Sequence, residues 1–505
     1  MSFEDLLQPS EGMTLAQLLP ELAVADARLL GPGAVRVTDV CQDSRAVRPG
    51  ALFVARAGSK HAADAFIGAA KERGAIALLS EHGVLRDNAG LPLIEVRGLA
   101  RAIGMAAEAV HGFPSKKLEV VALTGTNGKT TTAWLVEQAL AAVGRRPGRA
   151  GTIGYSFAGL DYESSLTTPQ ADDLSRFAAG IARHQGTHLV MEASSHALEQ
   201  HRLDALRIRA AGFTNLTQDH LDYHRTMEAY AAAKLRLFTE FGAPDVAINV
   251  DDPWGVQLAH QAVGRVLRVS RLGKGDVRAD AARFDASGLV AEVTTPSRTF
   301  TLRSRLVGEH NLDNLLLAIG LLEALGLPVE EAAEAWRPLG GVPGRLERCD
   351  TPEDDVLVLV DYAHTPDALV RVLQATRPLT RGEVICVFGC GGDRDPGKRP
   401  KMGAAVAAGA HRAILTNDNP RTESPEAIAA MVEPGLRQGA IPYVVELDRA
   451  RAIEQAILGA KPGDVVLVAG KGHENYQIFG TQKTDFDDRV ECRRALAARR
   501  GGAQG

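Results

Sequence analysis

Hydrophobic residues in the last third of the chain form short continuous runs, separated by stretches whose apolar spacing is helical. The runs lie at 356–360, 384–388, 413–416 and 465–469. Short apolar runs that alternate with helices predict a parallel, doubly wound sheet, because the strands of such a sheet are covered on both faces. We therefore expect a Rossmann-like α/β domain over residues 346–505.

Each of these predicted strands leads into a polar motif. The motifs are Asp361-Tyr-Ala-His364, Gly391-Gly-Asp-Arg394, Asp418-Asn-Pro-Arg421 and Gly470-Lys-Gly-His-Glu474. In doubly wound sheets, ligands bind beyond the carboxyl ends of the strands. The sequence therefore predicts one ligand site along one edge of this sheet.

The first 345 residues contain two further regions in which short apolar runs alternate with helical stretches. The segments 111–115 and 340–345 carry the Gly and Pro residues that are typical of breaks between structural units. These patterns predict an α/β protein with three domains, at residues 1–112, 113–345 and 346–505.

Composition and charge narrow the class of protein. The chain has 505 residues, too many for one compact core, with 45% hydrophobic residues, 24% charged residues and a formal net charge of −5. This balance argues against a general nucleic-acid or membrane-surface binder. The chain start lacks a signal-peptide pattern, and no apolar run approaches the ~20 residues that span a bilayer. We expect a cytoplasmic protein.

The five cysteines fit a reducing compartment, since they are scattered and odd in number. Cys386 and Cys390 form a C-x3-C pair, but no second pair supports a zinc site. We predict that both are buried thiols.

Residues 118–143 show the order that a phosphate-binding loop requires, a short β-branched run, a glycine turn and a helical stretch. Backbone N–H groups of such a turn bind anions, Lys129 would neutralise the phosphates and Thr130 would coordinate Mg²⁺. The match is incomplete, because Leu123 stands where the full motif has glycine, and a chance glycine turn is the alternative. The predicted ATP contacts here are Gly125, Thr126, Asn127, Gly128, Lys129, Thr130 and Thr131.

Three downstream features point to a metal-assisted centre. Glu192 follows a predicted strand, residues 214–224 concentrate His and Asp, and Lys234 lies in an alanine-rich helical stretch. Each also has a structural explanation. A Glu after a strand often caps the next helix, loop histidines are often surface residues, and a lone Lys usually faces solvent.

The joint order of these motifs closely resembles the central domain of the Mur ligases. It combines the phosphate loop with M-E-A-S-S-H at 191–196, the 214–224 segment and A-A-A-K-L-R-L-F at 231–238. The resemblance covers nearly the whole chain, through D-S-R at 43–45, G-x-H-N-x-x-N at 308–314, D-Y-A-H-T-P at 361–366 and the motifs that follow. Within that family the chain resembles the diaminopimelate-adding members, because lysine-adding members lack the Arg of D-N-P-R.

The resemblance implies a three-domain ligase with a central P-loop-type ATPase domain. In that family ATP phosphorylates a substrate carboxylate, and the amine of the incoming amino acid attacks the acyl phosphate. The implied partners are ATP, Mg²⁺, UDP-MurNAc-L-Ala-D-Glu and meso-diaminopimelate, with no nucleic acid and no membrane insertion. We expect a monomer.

The resemblance also assigns residues. The implied catalytic and metal-binding residues are Lys129, Thr130, Glu192, His220 and Lys234, the last as a carbamylated lysine. The implied nucleotide-sugar contacts are Ser44, His61, Ala62, Thr167, Thr168, Ser194, Gln200 and Arg202. The implied further ATP contacts are His310, Asn311, Arg345 and Asp361.

The choice of amino acid is assigned to the motifs of the last domain. Meso-diaminopimelate differs from lysine by a carboxylate beside its distal amine, so its recognition calls for a guanidinium together with an acidic or carbonyl acceptor. The predicted contacts are Arg394, Asp418, Asn419, Pro420, Arg421, Gly470 and Glu474. A turn with an exposed Arg421 is the structural alternative.

Five other functions remain open at this point. They are a lysine-adding sister ligase, a ligase that recycles whole peptides, a folylpolyglutamate-type ligase, and a P-loop phosphotransferase or ATP-binding regulator without ligation. A ligase would release phosphate only with both peptide and amino acid present, whereas a simple ATPase would need neither.

Overall fold

The computed structural model describes residues 2–56, 63–164, 166–285 and 287–502. The chain forms two compact units. The first comprises Met1–Asp280, Val293–Phe300 and Asp313–Ala335, and the second comprises Ala281–Glu292, Thr301–Leu312 and Trp336–Gly505. Within the described ranges, no helix is both long and apolar enough to cross a membrane.

The beginning of the chain forms a five-stranded sheet in the order β2-β7-β6-β5-β4. β4 to β7 are parallel, and β2 pairs antiparallel with β7. The hydrophobic face of α4 packs with α2 and these strands in one core, as its amphipathic spacing predicts. The elements are α1 (Phe3–Leu6), β1 (Met13–Thr14), α2 (Leu15–Glu21), β2 (Arg28–Leu30), β3 (Arg36–Val37), β4 (Asp39–Cys41), β5 (Ala51–Ala55), α3 (Ile67–Glu72), β6 (Ala75–Glu81), β7 (Leu93–Val96) and α4 (Leu99–Val110).

The middle of the chain supplies an eleven-stranded sheet in the order β11-β10-β9-β12-β8-β13-β14-β15-β16-β17-β18. Neighbouring strands from β9 to β16 in this order are parallel. The elements up to α10 are α5 (Pro114–Lys117), β8 (Glu119–Thr124), α6 (Lys129–Ala142), β9 (Pro147–Gly151), β10 (Gly154–Phe157), β11 (Leu160–Tyr162), α7 (Ala171–Arg183), β12 (His188–Glu192), α8 (Ser195–Glu199), β13 (Ile208–Phe213), α9 (Leu221–His224) and α10 (Met227–Thr239). The remaining ones are β14 (Asp245–Asn249), α11 (Pro253–Gln261), β15 (Arg265–Ser270), β16 (Val277–Asp285), β17 (Gly288–Thr294), β18 (Thr299–Ser304), α12 (Glu309–Ala324) and α13 (Val329–Glu334).

The end of the chain forms a six-stranded sheet in the order β19-β20-β24-β21-β22-β23, parallel except for β19. The elements are β19 (Glu347–Arg348), β20 (Leu357–Asp361), α14 (Pro366–Thr376), β21 (Val384–Phe388), α15 (Lys398–Gly409), β22 (Arg412–Leu415), α16 (Pro425–Gln438), β23 (Tyr443–Val445), α17 (Arg449–Leu458), β24 (Val465–Ala469), β25 (Tyr476–Phe479), β26 (Gln482–Asp485) and α18 (Asp488–Gly502).

This last sheet is doubly wound, as its apolar runs predict. One core joins alternate strand residues to α14, α15 and α16, and a second core joins the other residues of the same strands to α17 and α18. Both faces of β20, β21, β22 and β24 are therefore buried, which is why the runs lack a polar alternation. β21 and β24 have the predicted bounds, while β20 is displaced by one residue because Asp361 pairs with Ala469 in the ladder. β22, predicted at 413–416, begins and ends one residue earlier.

The predicted α/β fold is confirmed, and each of the three predicted domains contains a sheet of its own. The domain boundaries themselves stay a prediction. Cys386 and Cys390 are buried, as expected, and burial raises the pKa of each thiol to about 12.

Candidate active site

The phosphate loop lies between β8 and α6 in the first unit. Gly125 follows the strand with φ of +141°, and Gly128 caps the helix with φ of +87°. A Cβ at Gly125 would lie 1.8 Å from Thr214 Oγ1, and one at Gly128 would lie 2.3 Å from Asn314 Oδ1. The loop therefore needs glycine at both positions, for the backbone conformation and for the close approach of these side chains.

Lys129, the first residue of α6, bends back over this loop. Its Nζ donates hydrogen bonds to the carbonyl oxygens of Gly125 at 2.8 Å and Thr126 at 2.9 Å. The ammonium group is thus held at the N-terminal end of a fourteen-residue helix, where the helix dipole also favours an anion. The predicted ATP-binding residues 125–131 form one continuous loop and helix start.

A second loop, residues 214–217, holds the phosphate loop in place. The backbone N–H of Thr126 donates to Asn215 O at 2.8 Å, and that of Asn127 donates to Asn215 Oδ1 at 3.1 Å. The backbone N–H of Thr217 donates to Thr126 Oγ1 at 3.0 Å. Asn215 was not among the predicted site residues, although the T-N-L motif contains it, because its contribution depends on contacts 88 residues away in sequence.

Glu192 is the last residue of β12 and lies beside Leu123 of β8 in the parallel register. Its side chain is 1% exposed. Oε2 accepts a hydrogen bond from Thr130 Oγ1 at 3.0 Å, and Oε1 accepts one from the backbone N–H of Thr152 at 2.7 Å. The structure therefore brings Glu192 and Thr130 together, and it adds Thr152 as a support that the sequence did not reveal.

These groups fit a magnesium ion. A carboxylate and a hydroxyl are hard oxygen ligands, and Mg²⁺ is usually held by one or two such groups, substrate phosphates and water. Among the described residues, no group of three or more His, Cys, Asp or Glu side chains is arranged to hold a metal. Thr130 and Glu192 could therefore hold Mg²⁺ together with substrate phosphates and water.

Lys234 is buried against the phosphate loop, although it lies in an alanine-rich helix. Its side chain on α10 is 2% exposed, and Nζ donates to Gly125 O at 2.8 Å. Nζ also lies 4.5 Å from the ring centroid of Tyr230, whose hydroxyl is 3.2 Å from Thr126 Oγ1. Burial, with a smaller contribution from Lys129, holds the pKa of Lys234 well below its usual range. The solvent-facing alternative for Lys234 is therefore wrong.

His220 lies at the more open side of this region, with a side chain 45% exposed. Its ring centroid is 6.1 Å from that of Tyr230 and 4.9 Å from that of His196. The structure thus places His220 among the rings that line α10, next to the Tyr230–Lys234 pair.

Five of the predicted nucleotide-sugar contacts form one hydrogen-bonded network in the first unit. Thr168 Oγ1 lies 3.1 Å from Ser194 Oγ, and Arg202 donates to Thr168 O at 2.7 Å. Arg202 also donates to Gln200 Oε1 at 2.6 Å. Thr167 joins through Thr152, with 3.3 Å between their hydroxyl oxygens. Thr152 and Thr168 both donate to Glu192, Thr168 to its backbone oxygen at 2.8 Å, so this network is continuous with the candidate metal site.

The contacts predicted near the start of the chain are only partly described. Ser44 lies in the turn after β4, and the preceding Gln42 is bound to Asp172 through its backbone N–H at 3.0 Å and its Nε2 at 2.6 Å. Asp172 lies in α7, three residues after the T-T-P segment at 167–169. His61 and Ala62 lie outside the described residues.

The further predicted ATP contacts lie in the second unit. Asp361 accepts hydrogen bonds from the backbone N–H groups of Leu346 and Ala363, each at 2.8 Å, and so fixes the turn that carries Arg345. The guanidinium of Arg345 lies 5.1 Å from the Tyr362 ring centroid. His310 and Asn311 belong to the first turn of α12, and Asn311 Nδ2 donates to Val307 O at 2.8 Å.

The polar motifs of the last sheet do lie along one edge, as predicted. Arg421 has φ of +53°, and its guanidinium donates to Gly392 O at 2.8 Å. A Cβ built on Gly391 would lie 3.2 Å from that guanidinium and 3.8 Å from Arg394 Cγ. Both arginines therefore lie next to the same glycine, and Arg421 is half-buried rather than exposed.

The acidic groups of this edge surround a buried lysine. Lys471 is fully buried, and its Nζ lies 3.3 Å from Glu474 Oε2 and 3.5 Å from Asp418 Oδ1. Asn419 Nδ2 donates to Glu474 Oε2 at 3.0 Å. Pro420, the next residue, is also buried. A Cβ built on Gly470 would lie 3.6 Å from Asp418 Oδ2, so Gly470 lies close to this carboxylate. Lys471 was not predicted, although it lies inside the G-K-G-H-E motif.

Two family models match the parts of the chain that contain the phosphate loop and most of the polar motifs of the last sheet. Residues 123–322 match the Mur ligase middle domain, and residues 344–472 match the Mur ligase, glutamate ligase domain. The UDP-N-acetylmuramoyl-L-alanyl-D-glutamate–2,6-diaminopimelate ligase of Gloeobacter violaceus is 44% identical over 92% of this chain and 95% of its own length. That of Geobacter metallireducens is 41% identical over 95% and 99%.

A solved structure of a ligase with the same name aligns with a TM-score of 0.72 at 32% identity, over 97% of this chain and 99% of its own. The loops described above thus belong to a scaffold shared along nearly the whole length of these proteins. The chain is a member of the Mur ligase family.

Proposed function

We propose that this protein joins meso-diaminopimelate to UDP-MurNAc-L-Ala-D-Glu in an ATP-dependent reaction that releases ADP and phosphate and supplies a tripeptide precursor for peptidoglycan. The observation that carries the proposal is the arrangement of Thr130, Glu192 and Lys234 around one phosphate loop. Relatives at 41–44% identity that bear this activity in their names support it.

The first chemical step brings two anions together. A glutamate carboxylate oxygen of the dipeptide attacks the γ-phosphorus of ATP, the bond to the β,γ-bridging oxygen breaks, and ADP leaves. Carboxylate and phosphate repel each other, so cations must screen both and hold them in line. Lys129 supplies one positive charge, and a magnesium ion held by Thr130 and Glu192 would supply the other as a Lewis acid.

The second step forms the amide. The neutral amine of diaminopimelate attacks the carbonyl carbon of the acyl phosphate and gives a tetrahedral intermediate. The carbon–oxygen bond to phosphate then breaks, and the nitrogen loses its extra proton. We assign His220 to the phosphate and metal side of this centre, because its ring lies next to the Tyr230–Lys234 pair.

Lys234 would act in a carbamylated form. A carbamate forms when an unprotonated amine attacks CO₂ and a proton is lost, so burial against the loop favours it by disfavouring the ammonium. The product is an anionic oxygen group where an ammonium would repel both Lys129 and a metal. This explains why a lysine is compatible with a position beside the phosphate loop.

The nucleotide-sugar peptide would be bound by the network beside Glu192. Hydroxyls and a guanidinium suit carboxylate and diphosphate groups. The proposed contacts are Ser44, His61, Ala62, Thr167, Thr168, Ser194, Gln200 and Arg202. The hydrogen bonds that link Thr168, Gln200 and Arg202 support a prearranged surface for this ligand.

The incoming amino acid would be bound at the carboxyl edge of the last sheet. Arg394 and Arg421 suit the distal carboxylate, and Asp418, Glu474 and the Gly470 carbonyl suit the distal ammonium. Asn419 and Pro420 complete the loop. The remaining ATP contacts that we propose in this unit are His310, Asn311, Arg345 and Asp361. The five free, buried cysteines suit a cytoplasmic location.

The test is an amino-acid panel assayed for ADP release with and without the dipeptide precursor. We expect release only when precursor and meso-diaminopimelate are both present, and a large preference for diaminopimelate over lysine. Equal rates with lysine would favour the sister ligase. Release without either partner would show a simple ATPase.

A further inference from the structure

Lys471 is the only charged side chain in the G-K-G-H-E motif that is fully buried in the structure. Its Nζ donates to Asn419 Oδ1 at 3.1 Å and to Glu474 Oε2 at 3.3 Å, and it lies 3.5 Å from Asp418 Oδ1. The same ammonium lies 5.4 Å from the ring centroid of Tyr476. One buried cation thus contacts three side chains of the proposed amino-acid pocket.

These contacts orient the pocket as well as neutralise it. Asn419 Oδ1 accepts from both Lys471 and the backbone N–H of Ile478, the latter at 3.0 Å, which leaves Asn419 Nδ2 to donate to Glu474. The amide therefore has one orientation, and the Glu474 carboxylate has a fixed position. A buried charge of this kind is stable only when its partners are satisfied together.

The charge balance of the edge depends on this residue. Asp418 and Glu474 carry two negative charges, and Lys471 is the buried positive charge between them. Without it, the two carboxylates would lose the cation that lies within 3.5 Å of both and would repel each other. Lys471 also bears on Arg421, because Ile478 donates to the same Asn419 Oδ1 and accepts a hydrogen bond from the Arg421 backbone N–H at 3.0 Å. Arg421 is one of the two arginines proposed to bind the distal carboxylate of the substrate.

We infer that Lys471 is a positioning residue that sets the preference for diaminopimelate over lysine, by holding Glu474 and the loop from Asn419 to Arg421 in place. The inference rests on the proposed function. Lys471 would act through other side chains. Its replacement should therefore change the KM for the amino acid and the choice between amino acids, and should change kcat much less.

The experiment compares Lys471→Met with the wild-type enzyme in steady-state assays with diaminopimelate, lysine and ATP as varied substrates. We expect the KM for diaminopimelate to rise about tenfold or more, and the diaminopimelate-to-lysine ratio of kcat/KM to fall by about as much. The KM for ATP should stay within about twofold. Lysine as a substrate has no distal carboxylate, so its KM should depend less on Arg394 and Arg421.

The matched control is Arg499→Met, which also removes a cation of the second unit. Arg499 binds Asp355 at 2.7 Å before β20 begins, at the opposite end of the strand from Asp361. The Arg499→Met variant should have a lower melting temperature and an unchanged amino-acid preference. Lys471→Gln carries the test if Lys471→Met does not fold, because it retains a hydrogen-bonding group.

Two results would overturn the inference. One is a folded Lys471→Met or Lys471→Gln enzyme with an unchanged preference, and the other is a Lys471→Arg enzyme that keeps the charge yet loses the preference as completely as Lys471→Met. A wild-type enzyme that never accepts diaminopimelate would instead remove the proposed function. The two failures are therefore distinguishable.

Discussion

The Nζ of Lys234 donates a hydrogen bond to the carbonyl oxygen of Gly125 across 109 residues of sequence, at 2.8 Å. This contact ties α10 to the phosphate loop and places a buried nitrogen beside the carbonyl that Lys129 also contacts. Two lysines thus converge on one backbone oxygen. Burial and the neighbouring Lys129 both disfavour the ammonium form of Lys234 and lower its pKa.

Replacing Lys234 with Ala should reduce ligation by at least about a thousandfold, because the proposed anionic oxygen group beside the metal is lost. Short carboxylates such as acetate should restore part of the rate, since they supply oxygen ligands to the space that is left. ADP release against carboxylate concentration measures both effects. Lys274→Ala, at an exposed lysine of the first unit, is the control, and unimpaired turnover of Lys234→Ala would exclude Lys234 from the site.

Glu192→Gln should preserve the shape of the site and remove its charge. We expect kcat to fall about a hundredfold and the Mg²⁺ concentration for half-maximal activity to rise. Glu137→Gln is a matched control, because Glu137 is also a buried carboxylate but binds Arg149 at 2.7 Å. That variant should lose thermal stability without a change in Mg²⁺ dependence. A Glu192→Gln enzyme with normal Mg²⁺ dependence would contradict the metal assignment.

Arg421→Ala should raise the KM for diaminopimelate about a hundredfold while the KM for ATP changes less than about threefold. The reason is that Arg421 lies at the same glycine as Arg394, at the edge proposed for the amino acid. Arg437→Ala, at an exposed arginine on α16, should change neither value. An equal loss for both substrates would count against the assigned role of Arg421.

Gly125→Ala should weaken ATP binding by at least about tenfold and lower the melting temperature, since its Cβ would lie 1.8 Å from Thr214 Oγ1. Gly144→Ala separates the two causes. Gly144 also has positive φ, at +75°, but a Cβ there meets nothing within 4 Å. It should reproduce backbone strain alone and leave ATP binding, followed by calorimetry, unchanged. If both variants bind ATP normally, the loop does not require glycine at 125.

Stability should fall as pH drops from about 6.5 to about 4, in part because of His188. This residue is 5% exposed at the start of β12, and burial, with a smaller contribution from Arg145, lowers its pKa to about 4 from 6.5. Above pH 6.5 the imidazole of His188 is neutral in both the folded and the unfolded protein, so it does not change the free energy of unfolding. Between these values only the unfolded chain binds the proton, so unfolding is favoured by up to about 3 kcal/mol.

Thermal melts between pH 7.5 and 4.5 measure this contribution. His188→Gln should reduce the loss of melting temperature over that range, because glutamine does not titrate. His260→Gln, at an exposed histidine of α11, should follow the wild-type profile. Identical pH profiles for all three proteins would show that His188 does not contribute.

The hydrophobic pattern determined much of the fold by itself. Strands that are buried on both faces need continuous apolar runs, so β21 and β24 could be bounded to the residue. The order of strand, glycine turn and helix likewise predicted the phosphate loop, because the backbone conformations of the turn admit few residue types. The polar motifs after the strands could be placed on one edge because parallel strands end together.

The tertiary structure decided which side chains share an environment. Periodicity alone placed Lys234 on a solvent-facing helix surface, yet packing of α10 against the phosphate loop buries it. The sequence did not predict the roles of Asn215, Thr152 and Lys471, because each acts through contacts with residues distant in sequence. Hydrophobic and conformational preferences are local and can be read along the chain, whereas burial, charge pairing and hydrogen-bond partners depend on how distant segments meet in three dimensions.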